Sequence, residues 1–511
     1  MATRSSDYAL AAGAGILLAL SFPKFGHPSF GWVALAPLLV ALARGGTLRR
    51  AFGLGLTTGV IYFGGTLYWI THVMVLYGNL QWWVAVPVNA ALVAYLALFP
   101  ALFAVVMRRI IAAHGAAAIM AAPLVWVATE LGRTHLLTGF PWVLLGYSQA
   151  SVLPIAQLAS IFGVYGVSAL VAGVSAAAAT SAVCRSTADR VRAIAVAAVP
   201  LVFDAVWGSM RAADATWTRE GQPVRVGLVQ GNVEQSEKWE IERARAIFDD
   251  YLGLTRQAIA AGADFVIWPE SSTPFLFEED AAGADRVRAI ARQARVPILL
   301  GSDQIEWRTE GNRRLPEKFF NAAFLVRADG TTAGVYRKMH LVPFGEYVPL
   351  KRLLFFAGPL VEQVGPFSEG DQATLLPVGG HLISTAICYE VVYPSLVRQF
   401  VLGGSELLTT ITNDAWFGRT SAPYQHFAQA SMRAIEEGRY LVRSANTGIS
   451  GIVDPYGRVL ERSEVDERTV LTGEARFLTV STFYTRHGDI FAYASVVMAA
   501  ALLLISRRRI Q

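Results

Sequence analysis

The 511-residue chain is 53% hydrophobic and 16% charged, with a formal net charge of +5 and a mean hydropathy of +0.40. That balance is too apolar for an ordinary soluble enzyme. All but four of its 39 acidic residues lie beyond position 210, the exceptions being Asp7, Glu130, Asp189 and Asp204, so the first 210 and last 25 residues read as lipid-embedded structure around a soluble insert.

A helix needs about 20 mostly apolar residues to cross a hydrocarbon core roughly 30 Å thick. Eight segments fit, at about 8–22, 29–43, 51–71, 82–107, 115–131, 155–180, 193–209 and 489–505. No small-residue cleavage site follows the first, and another apolar run begins at once, so it reads as a retained span and not a signal peptide. With the N-terminus inside, the cytoplasmic side receives Arg4, then Arg44, Arg49 and Arg50, then Arg108 and Arg109, then Arg185, Arg190 and Arg192, and finally Arg507 to Arg509. The opposite short loops hold little beyond Lys24 and Arg133. This alternation predicts a polytopic membrane protein with both termini cytoplasmic. The expected domains are 1–210 with seven transmembrane helices, an extracytoplasmic 211–487, and 488–511 with the last span and a basic tail. The positive charge is then largely a topology signal and not a nucleic-acid footprint.

Between 224 and 475, short β-rich runs alternate with helical stretches, an α/β layer pattern. The runs lie at 224–230, 265–268, 296–301, 321–326, 382–387, 407–411 and 441–453, with helices expected over 240–261 and 281–295 and from Pro394. Asp329-Gly330 and Asp454-Pro455-Tyr456-Gly457 read as hairpin turns.

Cys184 falls at the cytoplasmic end of the sixth span and Cys388 in the outside domain, so the two cannot form a disulfide with each other. A lone thiol in an oxidising compartment is a liability unless it has a task. Cys388 stands where the apolar strand Leu382–Ile387 meets Tyr389-Glu390. Glu270 closes the strand Phe265–Trp268, and Lys338 sits in Tyr336-Arg337-Lys338-Met339-His340-Leu341-Val342-Pro343-Phe344-Gly345-Glu346. Alone, Glu270 reads as a strand-end carboxylate in a salt bridge, Lys338 as a solvated charge and Glu346 as a turn residue. Together they supply what a nucleophilic cysteine needs: a base for its proton, and a cation for the oxyanion formed on carbonyl attack. His340 is read as structural, because no metal-ligand set surrounds it. No metal or cofactor is expected.

Base, cation and thiol in this order resemble the Glu-Lys-Cys triad of the nitrilase (carbon–nitrogen hydrolase) superfamily, whose fold is an αββα sandwich. Eight spans, an insert between the seventh and eighth, Gln230-Gly231-Asn232 followed by Lys238-Trp239, and Cys388-Tyr389-Glu390 make the whole chain resemble the apolipoprotein N-acyltransferase family. The resemblance implies acyl transfer from a phospholipid, through a cysteine thioester, to the α-amine of diacylglyceryl-cysteine in an apolipoprotein. It assigns Glu270 as general base, Lys338 as oxyanion stabiliser and Cys388 as nucleophile, with support from Trp239, Glu346, Tyr389 and Glu390. It implies a bacterial inner membrane with the catalytic domain periplasmic, and the bilayer as a partner. Trp239 alone reads as a core aromatic, and Tyr389-Glu390 as a helix start. Leu353, Phe355 and Phe356 form an apolar patch readable as a membrane-dipping lid or an ordinary buried turn. A membrane-anchored amidase would need the same triad but only one or two anchors. A transporter with a binding ectodomain would need paired intramembrane charges, and Asp204 stands alone.

Overall fold

The computed structural model describes residues 2–78, 80–235, 241–311, 313–343, 345–347 and 367–510. Trp239 and the lid residues Leu353, Phe355 and Phe356 lie outside the described residues.

Every apolar segment folds as helix. In order they are α1 (Ala2–Ala19), a 3-10 turn Pro28–Val33 leading into α2 (Ala36–Ala43), α3 (Leu48–Thr66), α4 (Trp69–Leu76), α5 (Trp82–His114), α6 (Ala122–His135), α7 (Leu153–Ala156), α8 (Ala159–Val183) and α9 (Thr187–Asp214). Among the described residues, five helices are long and apolar enough to cross a membrane, or six if α3 and α4, bent by 51° at their junction, count as one span. The two N-terminal segments fall outside that set because Arg4 and Asp7 occupy the first turns of α1 and Pro28–Ala43 is short. Thr47 and Ser186 cap α3 and α9 by accepting from Arg50 N and Asp189 N, each at 3.2 Å, as side-chain oxygens do for orphan N–H groups at a helix start. Asp7 pairs with Arg44 at 2.9 Å and also with Arg50, tying α1 to the start of α3. Val199, Phe203 and Met210 of α9 stay exposed, an apolar face suited to lipid. The chain is thus a membrane protein in its helical part.

The remainder is an α/β sandwich of two six-stranded sheets. The first runs β1 (Gln222–Gln230), α10 (Ile241–Ala260), β2 (Phe265–Ile267), α11 (Ala281–Ala294), β3 (Ile298–Glu310), β4 (Arg313–Val326) and β5 (Thr332–Arg337). The second runs β6 (Leu376–Val378), β7 (His381–Ile387), α12 (Pro394–Leu402), β8 (Leu407–Thr412), α13 (Ala422–Glu437), β9 (Leu441–Ala445), β10 (Gly451–Val453) and β11 (Val459–Arg462), and β12 (Thr469–Phe477) returns to the first sheet. Sheet orders are β12-β1-β2-β3-β4-β5 and β11-β10-β9-β8-β7-β6. Each holds a parallel trio, β1-β2-β3 and β7-β8-β9, with helices as the crossovers that parallel strands require. This is the nitrilase-like architecture expected.

Two strand readings need correction. Residues 441–453 are not one strand but the antiparallel pair β9 and β10, because Asn446 to Ser450 turn the chain and Ser450 Oγ accepts Ala445 N at 3.0 Å. β3 and β4 run far past the apolar segments as a long hairpin with a polar arm. Its pattern of charges hid the pairing.

After β12, α14 (Phe483–His487) leads into α15 (Ile490–Ile510), which packs back on α5 and α6. The two halves meet where α13 and α14 cover α8. There α8 is broken at Gly163, whose φ is 64°, and the Glu436 carboxylate accepts the Val164 N–H at 2.8 Å.

Candidate active site

Parallel strands place functional side chains at their carboxyl ends, and three of them converge here. Glu270 follows β2, Cys388 follows β7 and Asn413 follows β8, while Lys338 is the first residue after β5. Gly301 of β3 lets the Glu270 turn lie close. A Cβ at that position would stand 2.6 Å from Pro269 O and Ser271 N and 2.7 Å from Glu270 Cα.

The polar centre is buried. Lys338 Nζ lies 2.8 Å from Glu346 Oε1 and 3.4 Å from Glu270 Oε1. Asn321 Nδ2 donates to Glu270 Oε1 at 2.7 Å and to Glu346 Oε1 at 3.2 Å. Asn413 N donates to Glu270 Oε2 at 2.8 Å, and Val342 N to Glu346 Oε2 at 2.7 Å. Burial works to lower the Lys338 pKa, but the Glu346 and Glu270 carboxylates outweigh it and hold the ammonium above its ordinary value. The cation is therefore fixed between two acceptors at any physiological pH.

Cys388 has a φ of 53°, a left-handed conformation that a non-glycine residue adopts only where its surroundings impose it. It begins a 3-10 turn that runs to Val392 just ahead of α12. Burial pushes its thiol well up, Glu270 adds to the rise, and Lys338 opposes it. Burial thus favours the protonated thiol at rest. Both cysteines are free and buried.

The residues expected to support the site divide by position. Glu390 Oε1 accepts from Tyr336 Oη and Met339 N, both at 2.7 Å, and from His340 N at 3.0 Å, while its Oε2 accepts Ile387 N at 2.7 Å. One carboxylate thereby clamps the Lys338 segment to the cysteine strand. Tyr389 stacks on Trp142 at 6.2 Å between ring centroids and meets Tyr393 edge-on at 5.2 Å. His340 packs on Tyr393 at 3.9 Å, and burial, then Lys338, push its pKa down to about 4. Among the described residues no cluster of His, Cys, Asp or Glu is placed to hold a metal.

Several participants escaped the sequence reading. Arg133, read as a loop charge, is buried, and its Nη1 donates to Phe140 O at 3.1 Å and Trp142 O at 2.6 Å, folding the 140–142 segment of the membrane half onto Tyr389. Asn321, Thr412, Asn413, Asp414, His426 and Arg443 carry no local motif. Only the Asn413-Asp414 pair had a signal, a polar dipeptide directly after an apolar strand, as at Cys388. Beyond Asn413, whose Nδ2 donates to Gln235 Oε1 at 2.7 Å, opens a cleft of about 460 Å³ lined by Tyr77, Asn232, Glu234, Arg419 and Asp466.

Residues 14–177 match the family described as apolipoprotein N-acyltransferase N-terminal domain, and residues 225–482 match carbon-nitrogen hydrolase. A Geobacter metallireducens protein named apolipoprotein N-acyltransferase is 42% identical, the alignment covering 98% of this chain and 96% of the relative. A Methylococcus capsulatus protein of the same name is 35% identical with the same coverage, 98% and 96%. Among solved structures, an amidase from Nesterenkonia sp. overlays 54% of this chain and 97% of its own, at 21% identity and a TM-score of 0.39. Aligned from end to end with relatives of one name, and matching that family in its membrane half and carbon-nitrogen hydrolase in its sandwich, the chain belongs to the apolipoprotein N-acyltransferase family.

Proposed function

We propose that the chain completes lipoprotein maturation by a two-step acyl transfer through Cys388, with Glu270 as general base and Lys338 as oxyanion stabiliser. The observation that carries this reading is the meeting of a carboxylate, a buried ammonium and a strained cysteine at strand ends drawn from both sheets. In the first step Glu270 takes the Cys388 proton as sulfur attacks an ester carbonyl of a phospholipid. Lys338 stabilises the oxyanion, and collapse expels the lysophospholipid alkoxide, which leaves with the proton from Glu270. In the second step the α-amine of a diacylglyceryl-cysteine attacks the thioester, passes its proton to Glu270, and Cys388 departs as thiolate and regains that proton. Keeping water from the thioester favours the amine, and the aromatic cover from Phe140, Trp142 and Tyr389 supports that role. Glu346 holds Lys338, and Glu390 and Tyr389 fix the cysteine turn. Trp239 retains the supporting role that the family resemblance implies, and the patch at Leu353, Phe355 and Phe356 the lid role read from its apolar sequence.

The topology belongs to the same proposal: eight spans, both termini cytoplasmic, and residues 211–487 on the periplasmic side of the inner membrane, with 1–210 and 488–511 as the membrane parts. Short-loop arginines support it. A cytoplasm-only fluorescent reporter fused after Gln511 should give signal; a dark fusion, with activity from a periplasm-only reporter at that site, overturns it.

The chemistry is tested by giving purified protein a phospholipid alone and then with a diacylglyceryl-cysteine peptide. The expected outcome is an acyl mass on Cys388 in the first case and triacylated peptide in the second. An adduct mapped to Cys184, or hydrolysis without transfer, counts against the reading.

A further inference from the structure

Beneath the nucleophile lies a buried relay that the triad does not include. His426 of α13 has Nε2 at 3.1 Å from the Cys388 carbonyl oxygen. Its Nδ1 lies 2.9 Å from Arg443 Nη2, which also donates to Asp414 Oδ2 at 2.9 Å. Asp414 Oδ1 accepts from Thr412 Oγ1 at 2.8 Å. Asp414, His426 and Arg443 are each at most 1% exposed. Gly448 packs against the Asp414 carboxylate so closely that a Cβ would collide with it.

The donor inventory places the hydrogen on Nε2, because the Cys388 carbonyl only accepts, and aims it at Cys388. Nδ1 faces two groups, the Arg443 guanidinium, which only donates, and Asp414 Oδ1 at 3.1 Å, which only accepts. Burial, followed by Arg443, lowers the His426 pKa against the opposing pull of Asp414, which favours the neutral ring with Nδ1 accepting from Arg443. The arginine charge on Nδ1 polarises the ring and strengthens Nε2–H as a donor.

The carbonyl it holds belongs to the same planar, trans peptide unit as the Tyr389 N–H, and in such a unit the two groups point in opposite directions. We infer that His426 is a positioning residue that fixes the Cys388–Tyr389 peptide, holding the cysteine in its left-handed turn and directing the Tyr389 N–H to the opposite face as a second oxyanion donor beside Lys338. Arg443, held by Asp414, donates to Nδ1 and so favours the tautomer that makes this possible. The inference rests on the reading of Cys388 as nucleophile.

Three variants separate this role from simple packing. His426→Phe keeps the ring that packs on Trp142 at 5.4 Å but loses the donor. His426→Gln places an amide donor near the Nε2 position, and His426→Asn is polar but too short to reach Cys388. Single-turnover acylation of the full-length protein in phospholipid–detergent micelles is measured across lipid concentrations, with thermal stability followed in parallel. Phe and Asn should lower the maximal acylation rate by about 10²-fold, the effect of one lost oxyanion donor, with the half-saturating lipid concentration within about twofold. Gln should stay within about tenfold of the parent. A parent-like rate in Phe overturns the inference, as does a Gln variant as slow as Asn despite native stability, or a change confined to half-saturation. If Phe does not fold, the Gln and Asn pair decides by the same criterion. Failure of the parent itself to acylate Cys388 would sink the nucleophile assignment instead, before the variants are compared.

Discussion

In the first half of the sandwich, α11 turns Val287, Ile290 and Ala291 inward and leaves Asp285, Arg286 and Arg292 in water. In the second half, α13 is buried almost all round, and Arg433, Glu436 and Glu437 lie at 0% exposure against the membrane helices. The two βαβαβ units are built alike, so the difference comes from what covers them. The solvent-backed sheet contributes Glu270 and Lys338, and the membrane-backed sheet contributes Cys388 and the groups that hold it. A side chain in the second half therefore has fewer ways to be changed without consequence.

Removing the thiol is the sharpest way to break that contrast. Cys388→Ala should abolish the acyl adduct, and Cys388→Ser should be nearly inactive because the hydroxyl has no base matched to its higher pKa. Intact-protein mass spectrometry after incubation with phospholipid checks both, and full activity in the alanine variant would refute the mechanism.

The solvent-backed half should lose less. Glu270→Gln removes the proposed base, for an expected loss on the order of 10²–10⁴-fold, and Lys338→Met removes the proposed oxyanion charge, for roughly 10²–10³-fold. Raising the pH should partly rescue the Glu270 variant, since hydroxide then generates thiolate and the nearby carboxylate that raises the thiol pKa is gone. It should not rescue the Lys338 variant. Acylation rates across a pH series decide the matter, and equal rescue of both would mean the roles are misassigned.

The covered helix also predicts a pH effect on stability. Burial, then Glu436, pushes Glu437 up to about 8, with Thr485 Oγ1 donating to its Oε2 at 2.9 Å. A folded-state pKa above the unfolded value means stability that is complete below the unfolded value and lost as pH rises through the folded one. Glu437→Gln keeps an acceptor for Thr485 and should be neutral near pH 4 but stabilising by about 3–5 kcal/mol near pH 9. Thermal denaturation at both values measures it; a pH-independent difference would argue against a buried carboxyl there. The smallest effect belongs to the exposed helix. Asp285→Ala breaks an exposed 3.5 Å pair with Arg288 and should change stability by no more than about 0.5 kcal/mol. A larger loss would show that α11 is covered too.

The same contrast explains what could be read from the sequence. Residues 265–270 and 382–388 announce strand ends because burial on both faces makes parallel strands mostly apolar, Ser384 and Thr385 being the exceptions here, and the residue that ends each run is a displayed side chain. The long apolar helices follow from length alone. The sequence around His426 reads otherwise: Gln425, His426, Gln429, Arg433, Glu436 and Glu437 suggest a water-facing helix, and only the docked membrane half makes them interior. Their partners lie far away, Gln425 meeting Trp142 across 283 positions at 2.7 Å, and no local periodicity encodes such a pairing. The Lys338 segment was legible as a motif, but Asn321, which joins both carboxylates, was a single polar residue inside a strand.

The bond from Val164 N to Glu436 also sets a timetable for biosynthesis. The two residues are 272 positions apart, so α8 enters the bilayer with the N–H at its break lacking its final acceptor until the ribosome has made α13. At about 5–20 residues per second that interval is roughly 15–50 s. An unpaired amide is costly wherever water is scarce, which gives the half-made protein a reason to hold this helix end near the interface. Truncations that stop short of α13 should leave α8 exposed to membrane quality control, whereas a chain that reaches Glu437 can close it.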